Sequence, residues 1–172
     1  ENIVEPIGPA AAAAAQGDSA NTHVWVEGED AVSHNFVRHG WYDSVNRQLL
    51  SGGNWLSHYS GNLKGSASYE VDIPEEGVYA FWLRWNPHSL GRHRVDGGQW
   101  YPITGQRIGF VNLVEKLDHR FIAWTQLRTP RLTRGRHTIE FEIARQIHNS
   151  GAIDCFCLTT RLGYVPLGAM RP

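Results

Sequence analysis

"ASYEVDIPEEGVYAFWLRW", residues 67–85, decides the fold class. Ala67, Tyr69, Val71 and Ile73 alternate with Ser68, Glu70 and Asp72, and a period of two marks a half-buried strand. Pro74-Glu75-Glu76-Gly77 then turns the chain, and Val78 to Trp85 forms a second strand. "RHTIEFEIA", residues 136–144, repeats the pattern: Ile139, Phe141 and Ile143 face inward while Glu140 and Glu142 face out, after a turn at Arg134-Gly135. "AIDCFCLTT", residues 152–160, is apolar nearly throughout and suits a central strand of a two-sheet core. "IAWTQLRTPRL", residues 122–132, is a further strand that Pro130 confines to an edge or a bend. With 18 Gly and 8 Pro between such segments, the chain reads as all-β.

A length of 172 residues fits one domain with a sizeable core. The composition, 41% hydrophobic and 19% charged with a net charge of −1, gives no reason to expect nucleic acid. No apolar run approaches the ~18 residues of a membrane span. Seven Trp, six Tyr and six Phe exceed what such a core needs, so some serve a surface. Cys155 and Cys157 are two apart; on a strand their Cβ atoms share a face but lie beyond the ~3.8 Å of a disulfide, and no pattern suggests zinc. Residues 1–22, with Ala10 to Ala15 in a row, read as a linker or N-terminal extension, with a short alanine helix as the competing reading. The domain then occupies residues 23–163, and 164–172 form a tail. Among the longer connections, 107–121 carries helical spacing at Phe110, Val114 and Leu117 that allows a short helix. "VDGGQW", residues 95–100, reads as a hairpin turn.

"VWVEGED", residues 24–30, places Glu27 and Glu29 two apart where the first buried strand should begin. On a strand they share a face with about 6.6 Å between Cα atoms. Two carboxylates at that distance repel by about 2–3 kcal/mol at an effective dielectric of ~20. A cation, a shared proton or full solvation would offset this, which leaves a metal site, an acid/base pair or a wet edge. The acid/base reading suits a glycosidase poorly, because its two carboxyls flank the scissile bond and these come from one wall.

Taken together, "VWVEGEDA", "SGGNWLS", "YEVDIPEEGVYAFWLRW", "WTQLRTPRLTRGRHTIEF" and "IDCFCLTT" resemble the family 6 and family 35 carbohydrate-binding modules over about Val24 to Thr160. The resemblance implies a two-sheet β-sandwich jelly roll of the galactose-binding-like type. It also implies a structural calcium held by Glu27, Glu29 and Asp154, with backbone carbonyls between Arg47 and Gly53. Calcium takes six to eight oxygens, so it would turn the repulsion of clustered carboxylates into coordination.

A sugar site needs an aromatic platform and a few convergent polar groups. The resemblance places that site in loops at one end of the sandwich, with an Asn two residues before the last-strand Asp. Ala152 stands there, so Asn149 is the substitute. Phe121 occupies the place of a loop Trp. The aromatic candidates are Trp41, Tyr42, Trp100, Tyr101 and Phe121, whereas Trp25, Trp55, Trp82 and Trp124 are assigned to the core. His88, Arg92, His93, Arg94 and His119-Arg120 crowd neighbouring loops and suggest an acidic glycan, since Arg suits carboxylate or sulfate. A solvated face balanced by Asp96 and Glu115 explains them equally. The ligand-binding set is therefore Trp41, Tyr42, His88, Arg92, Trp100, Tyr101, His119, Phe121 and Asn149.

The expectation is a secreted, monomeric, non-catalytic module that binds a polysaccharide or oligosaccharide and tethers an appended catalytic domain to it. The competing expectation is a structural or docking sandwich that has lost its sugar site. No HExxH, GxSxG or phosphate-cradling motif points to catalysis.

Overall fold

The computed structural model describes residues 20–88, 90–144 and 148–172, so the linker expected over 1–22 lies almost wholly outside the described residues. The chain runs through β1 (His23–Glu27), β2 (Ser33–His34), the short α1 (Gly40–Asp43), β3 (Leu56–Ser60), β4 (Gly65–Ile73), β5 (Gly77–Val78) and β6 (Ala80–Asn86). It continues with β7 (Leu90–Val95), β8 (Tyr101–Pro102), β9 (Arg107–Asn112), β10 (Phe121–Leu127), β11 (Arg131–Leu132), β12 (Gly135–Ala144) and β13 (Asn149–Thr159). One sheet has the order β1-β13-β6-β10-β9, with β3 also paired to β13; the other has the order β2-β4-β12-β7-β8. The described pairs are antiparallel.

The alternation read from the sequence is what closes the sandwich. Ala67, Tyr69, Val71 and Ile73 of β4 and Ile139, Phe141 and Ile143 of β12 meet Phe81, Leu83, Trp85, Phe156 and Leu158 of β6 and β13 in one core. Tyr69, Phe81, Phe141 and Phe156 pack there edge to face or tilted, with centroids 5.1–6.1 Å apart. The strands on either side of Pro74–Gly77 do not pair with each other: β4 and β6 belong to opposite sheets, and the turn carries the chain across. As expected, β13 is central and buried along its whole length. The free thiols of Cys155 and Cys157 are buried in it.

Two local readings fared differently. Asp96 and Gly97 both take positive φ, 51° and 66°, and Gly98 donates to the Val95 carbonyl at 3.0 Å, so "VDGGQW" does make the hairpin turn between β7 and β8. The helix allowed over 107–121 is absent; Arg107–Asn112 is strand β9, hydrogen-bonded to β10. A free strand edge at β10 offers more backbone partners than three apolar residues at helical spacing.

Against the outer face of the first sheet lie Trp25, Trp82, Trp124, Cys155, Ile108 and Tyr164. The C-terminal segment crosses this face, where Trp124 Nε1 donates to the Gly168 carbonyl at 2.9 Å. The tail, residues 164–172, thus rests on this face through Tyr164 and Gly168 while most of its side chains stay exposed.

On the other sheet His137 is buried with an acceptor at each nitrogen, Asp96 Oδ2 at 2.6 Å from Nδ1 and the Thr133 carbonyl at 2.8 Å from Nε2. Burial opposes its protonation, but the two acceptors outweigh burial and raise its pKa above the ordinary 6.5. The stabilisation is therefore complete below pH 6.5 and is lost as pH rises through the folded-state value. Urea titrations should show stability falling above pH 6.5 by no more than about 1 kcal/mol, because Asp96 is half exposed and screened. His137→Gln should flatten that slope; an unchanged slope would refute the assignment.

Candidate functional site

Two of the three acidic residues singled out by sequence, Glu27 and Asp154, are joined through Ser51 at a seam in the first sheet, and Glu29 stands beside Glu27. Along one edge of β13, Asn149–Ile153 faces β3 and Cys155–Thr159 faces β1. Asp154 falls between them, at a register shift against β6. The strand of "VWVEGED" stops at Glu27, and Gly28–Asp30 makes a single 3-10 turn. Glu29 is therefore not a same-strand neighbour of Glu27, which corrects the spacing argument. The turn lies directly on β13: a Cβ at Gly28 would stand 1.9 Å from the Ile153 carbonyl oxygen, so only glycine fits.

Asp154 is fully buried and both of its oxygens are engaged. Oδ1 accepts from the Ser51 backbone N–H at 2.9 Å and Oδ2 from Arg84 Nη1 at 2.6 Å. Arg84 is itself buried and also donates to the Leu49 carbonyl at 3.1 Å. Ser51 ties the seam together, because its hydroxyl donates to Glu27 Oε1 at 3.0 Å. The same Oε1 accepts from Trp25 Nε1 at 3.2 Å and from Arg171 Nη2 at 2.8 Å. Burial pushes the Asp154 carboxyl up to about 6 against the pull of Arg84 and Ser51, and Glu27 adds to the rise. Glu29 is also raised, by burial first and then by Glu27 among its neighbours.

Among the described residues, no group of three or more His, Cys, Asp or Glu is placed to hold a metal ion. Asp154 is held by Arg84, and Glu27, Glu29 and Asp154 do not form a three-carboxylate cage. Two observations still suit a hard cation. Glu27 Oε2 and Glu29 Oε2 are both buried without a hydrogen-bond partner, which native structures rarely leave so. Gly52, at φ 60°, brings the 47–54 loop to within 3.6 Å of the Glu27 carboxyl carbon, measured from where its Cβ would be.

A second cluster forms at the end of the sandwich where β6 ends and β10 and β13 begin. His39, Trp41, Tyr59, His88, His119 and His148 line a hollow of about 340 Å³. They form two ring groups: His148 stacks on Tyr59 at 5.7 Å with His39 tilted against that ring at 4.7 Å, and His88 stacks on His119 at 4.3 Å with Trp41 tilted beside it at 6.5 Å. Arg120 holds the indole, with its guanidinium carbon 5.1 Å from the Trp41 ring and Nη1 donating to the Trp41 carbonyl at 3.2 Å. Asp118 fixes Arg120 at 2.6 Å, and those hydrogen bonds hold the Asp118 carboxyl below the usual range. Beneath the hollow, buried Asn86 donates to the carbonyls of His119 and Phe121 at 2.8 and 2.6 Å and accepts from the Tyr42 hydroxyl at 2.8 Å.

The nine sequence candidates separate into three places. Trp41, His88 and His119 line the hollow, and Phe121 and Asn149 lie at the same end without lining it. Phe121 stacks on Phe110 at 4.7 Å, while buried Asn149 reaches the Ser60 carbonyl at 3.5 Å. Tyr42 is a core residue with no exposure, packed edge-on against Trp55. Arg92, Trp100 and Tyr101 belong to the other sheet. There Arg92 pairs with Glu142 at 3.0 Å and Arg94 with Glu140 at 2.6 Å, each directly opposite on β12, and both guanidiniums lie 4.5 Å from the Trp100 ring. Each of these arginines already has a carboxylate partner, so neither is set aside for an acidic ligand. Sequence reasoning missed His39, Tyr59 and His148, because only the β3–β13 pairing brings Tyr59 beside residue 148.

No family model matches this sequence, and no curated protein matches it. Solved structures do. A family 35 carbohydrate-binding module from an environmental isolate superposes with a TM-score of 0.56 at 10% identity, over 80% of this chain and 93% of that one. The chain has a family 6/35-type module fold. A family 35 module from Cellvibrio japonicus matches at TM-score 0.52 and 10% identity, covering 80% of this chain and 92% of its own. A Podospora anserina β-(1,4)-mannanase carrying a family 35 module matches at TM-score 0.52 and 14% identity, over 84% of this chain. This module-type fold spans only 29% of the mannanase.

Proposed function

We propose that the chain is a non-catalytic carbohydrate-binding module whose sugar site is the loop-end hollow. The observation that carries this reading is the pairing of two ring groups around one open cavity, Trp41 with His88 and His119 on one side and Tyr59 with His39 and His148 on the other. Aromatic faces suit the C–H faces of a sugar ring, and imidazole nitrogens can donate or accept at its hydroxyls. In this reading the module is extracellular, acts as a monomer and holds an attached catalytic domain near its polymer. Glu27 and Glu29 supply the oxygens for a structural calcium, with Asp154 behind them as the partner of Arg84. An acidic glycan remains compatible with the imidazoles of the hollow but has no support from Arg92.

Isothermal titration against plant, algal and animal oligosaccharides tests the site. Trp41→Ala is expected to weaken binding at least tenfold, as loss of an aromatic anchor does, when titrated at a temperature where the variant is folded. Binding to none of the glycans, or binding that Trp41→Ala leaves unchanged, would refute it.

A further inference from the structure

A larger cavity, of about 500 Å³, opens at a different place, between β8 of one sheet and β9 and β10 of the other. Its floor is Trp82, Ile108 and Leu127, and its rim carries the exposed side chains of Thr104, Gln106, Gln126 and Arg128 beside the Tyr101 ring. The volume is in the usual range for a ligand pocket. The three polar side chains Thr104, Gln106 and Gln126 make no hydrogen bond within the described residues, so their donors and acceptors are open to a ligand.

Arg128 gives the cavity its sign. The arginines Arg92, Arg94 and Arg136 of the second sheet are each paired with a carboxylate, whereas Arg128 directly follows β10 of the first sheet. Among the described residues Arg128 has no ion pair and no side-chain hydrogen bond, and its guanidinium carbon rests 4.3 Å from the centre of the Tyr101 ring. No Asp or Glu lines the cavity. The same Tyr101–Arg128 pair also borders an adjoining hollow of about 240 Å³ that contains Gln99 and His93. Burial keeps His93 neutral, its pKa lowered to about 4, so the guanidinium is the free positive charge here. The β8–β9 connection that forms one wall is pressed onto β10: a Cβ at Gly105 would stand 2.5 Å from the Gln126 carbonyl oxygen.

We propose that this edge cavity is a second saccharide site, separate from the loop-end hollow, that takes an oligosaccharide bearing an anionic group. The carboxylate or sulfate meets Arg128 in a bidentate contact. Apolar sugar faces lie over Trp82 and Ile108, and hydroxyls bond to the amides of Gln106 and Gln126. Two sites on one module would raise avidity for a polymer that reaches both.

The test uses trigalacturonate as a carboxylate probe, a sulfated galactan tetrasaccharide as a sulfate probe and neutral galactotriose as a control. Titrations are run on the parent chain, Trp41→Ala and Arg128→Gln, with side-chain amide shifts followed by NMR. Binding of either anionic probe should survive Trp41→Ala, fall at least tenfold in Arg128→Gln, and move the amide signals of Gln106 and Gln126. The probe that binds identifies the anionic group. No binding of either anionic probe, equal affinity in Arg128→Gln, or loss in Trp41→Ala alone overturns the proposal. Because Arg128 is exposed and outside the loop-end hollow, a negative result here leaves the Trp41 reading to be judged on its own titrations.

Discussion

Arg84→Ala is expected to cost about 3–5 kcal/mol, the range for removing one partner of a buried ion pair. Arg84 and Asp154 are both within 2% of full burial. The substitution leaves the buried Asp154 Oδ2 atom and the Leu49 carbonyl without their donor. For a domain of this size the loss corresponds to a drop in melting temperature of about 10 °C. Chemical denaturation of Arg84→Ala, and of the double variant Arg84→Met with Asp154→Leu, separates the two contributions. The double variant should recover part of the loss, since it removes the uncompensated charge but still leaves the Leu49 carbonyl and the Ser51 N–H without their partners. A cost below about 1 kcal/mol for Arg84→Ala would show that Asp154 is not held as a buried carboxylate.

Calcium is expected to raise the melting temperature, and a chelator to lower it. The reason lies in Glu27 Oε2 and Glu29 Oε2, which are buried and without partners. Each such atom costs about 1–3 kcal/mol until a donor or cation meets it. At a calcium concentration one hundred times its dissociation constant, binding adds about 2.7 kcal/mol to stability, or roughly 5–10 °C for a domain of this length. Differential scanning calorimetry with calcium and with excess chelator measures this. Glu29→Gln should abolish the calcium response while leaving the Arg84–Asp154 pair in place. Equal melting temperatures with calcium and with chelator would remove the metal from the interpretation.

Much of the fold was legible because its signals are local. The alternation in β4 and β12 and the continuous apolar run of β13 each follow from how a strand divides its side chains between two faces. The Asp96-Gly97 turn was legible for the same reason, since positive φ at adjacent positions has a direct residue signature. The loop-end hollow was only half legible. Trp41, His88 and His119 could be marked as exposed candidates, but nothing near Tyr59 in sequence shows that β3 pairs with β13 and sets its ring against His148. Tyr42 failed in the other direction: a loop tyrosine beside a loop tryptophan reads as a platform, yet its hydroxyl is drawn into the core by Asn86, 44 residues away.

The sequence by itself determined an all-β sandwich and its inward-facing residues, because strand periodicity and short motifs are properties of consecutive residues. Only the tertiary structure decided that Asp154 belongs to Arg84, that Arg92 and Arg94 are spent on Glu142 and Glu140, and that Arg128 is left unpaired. Charges are matched or stranded by strands distant in the chain, so which ones remain for a ligand depends on sheet order and register, and no local pattern carries that information.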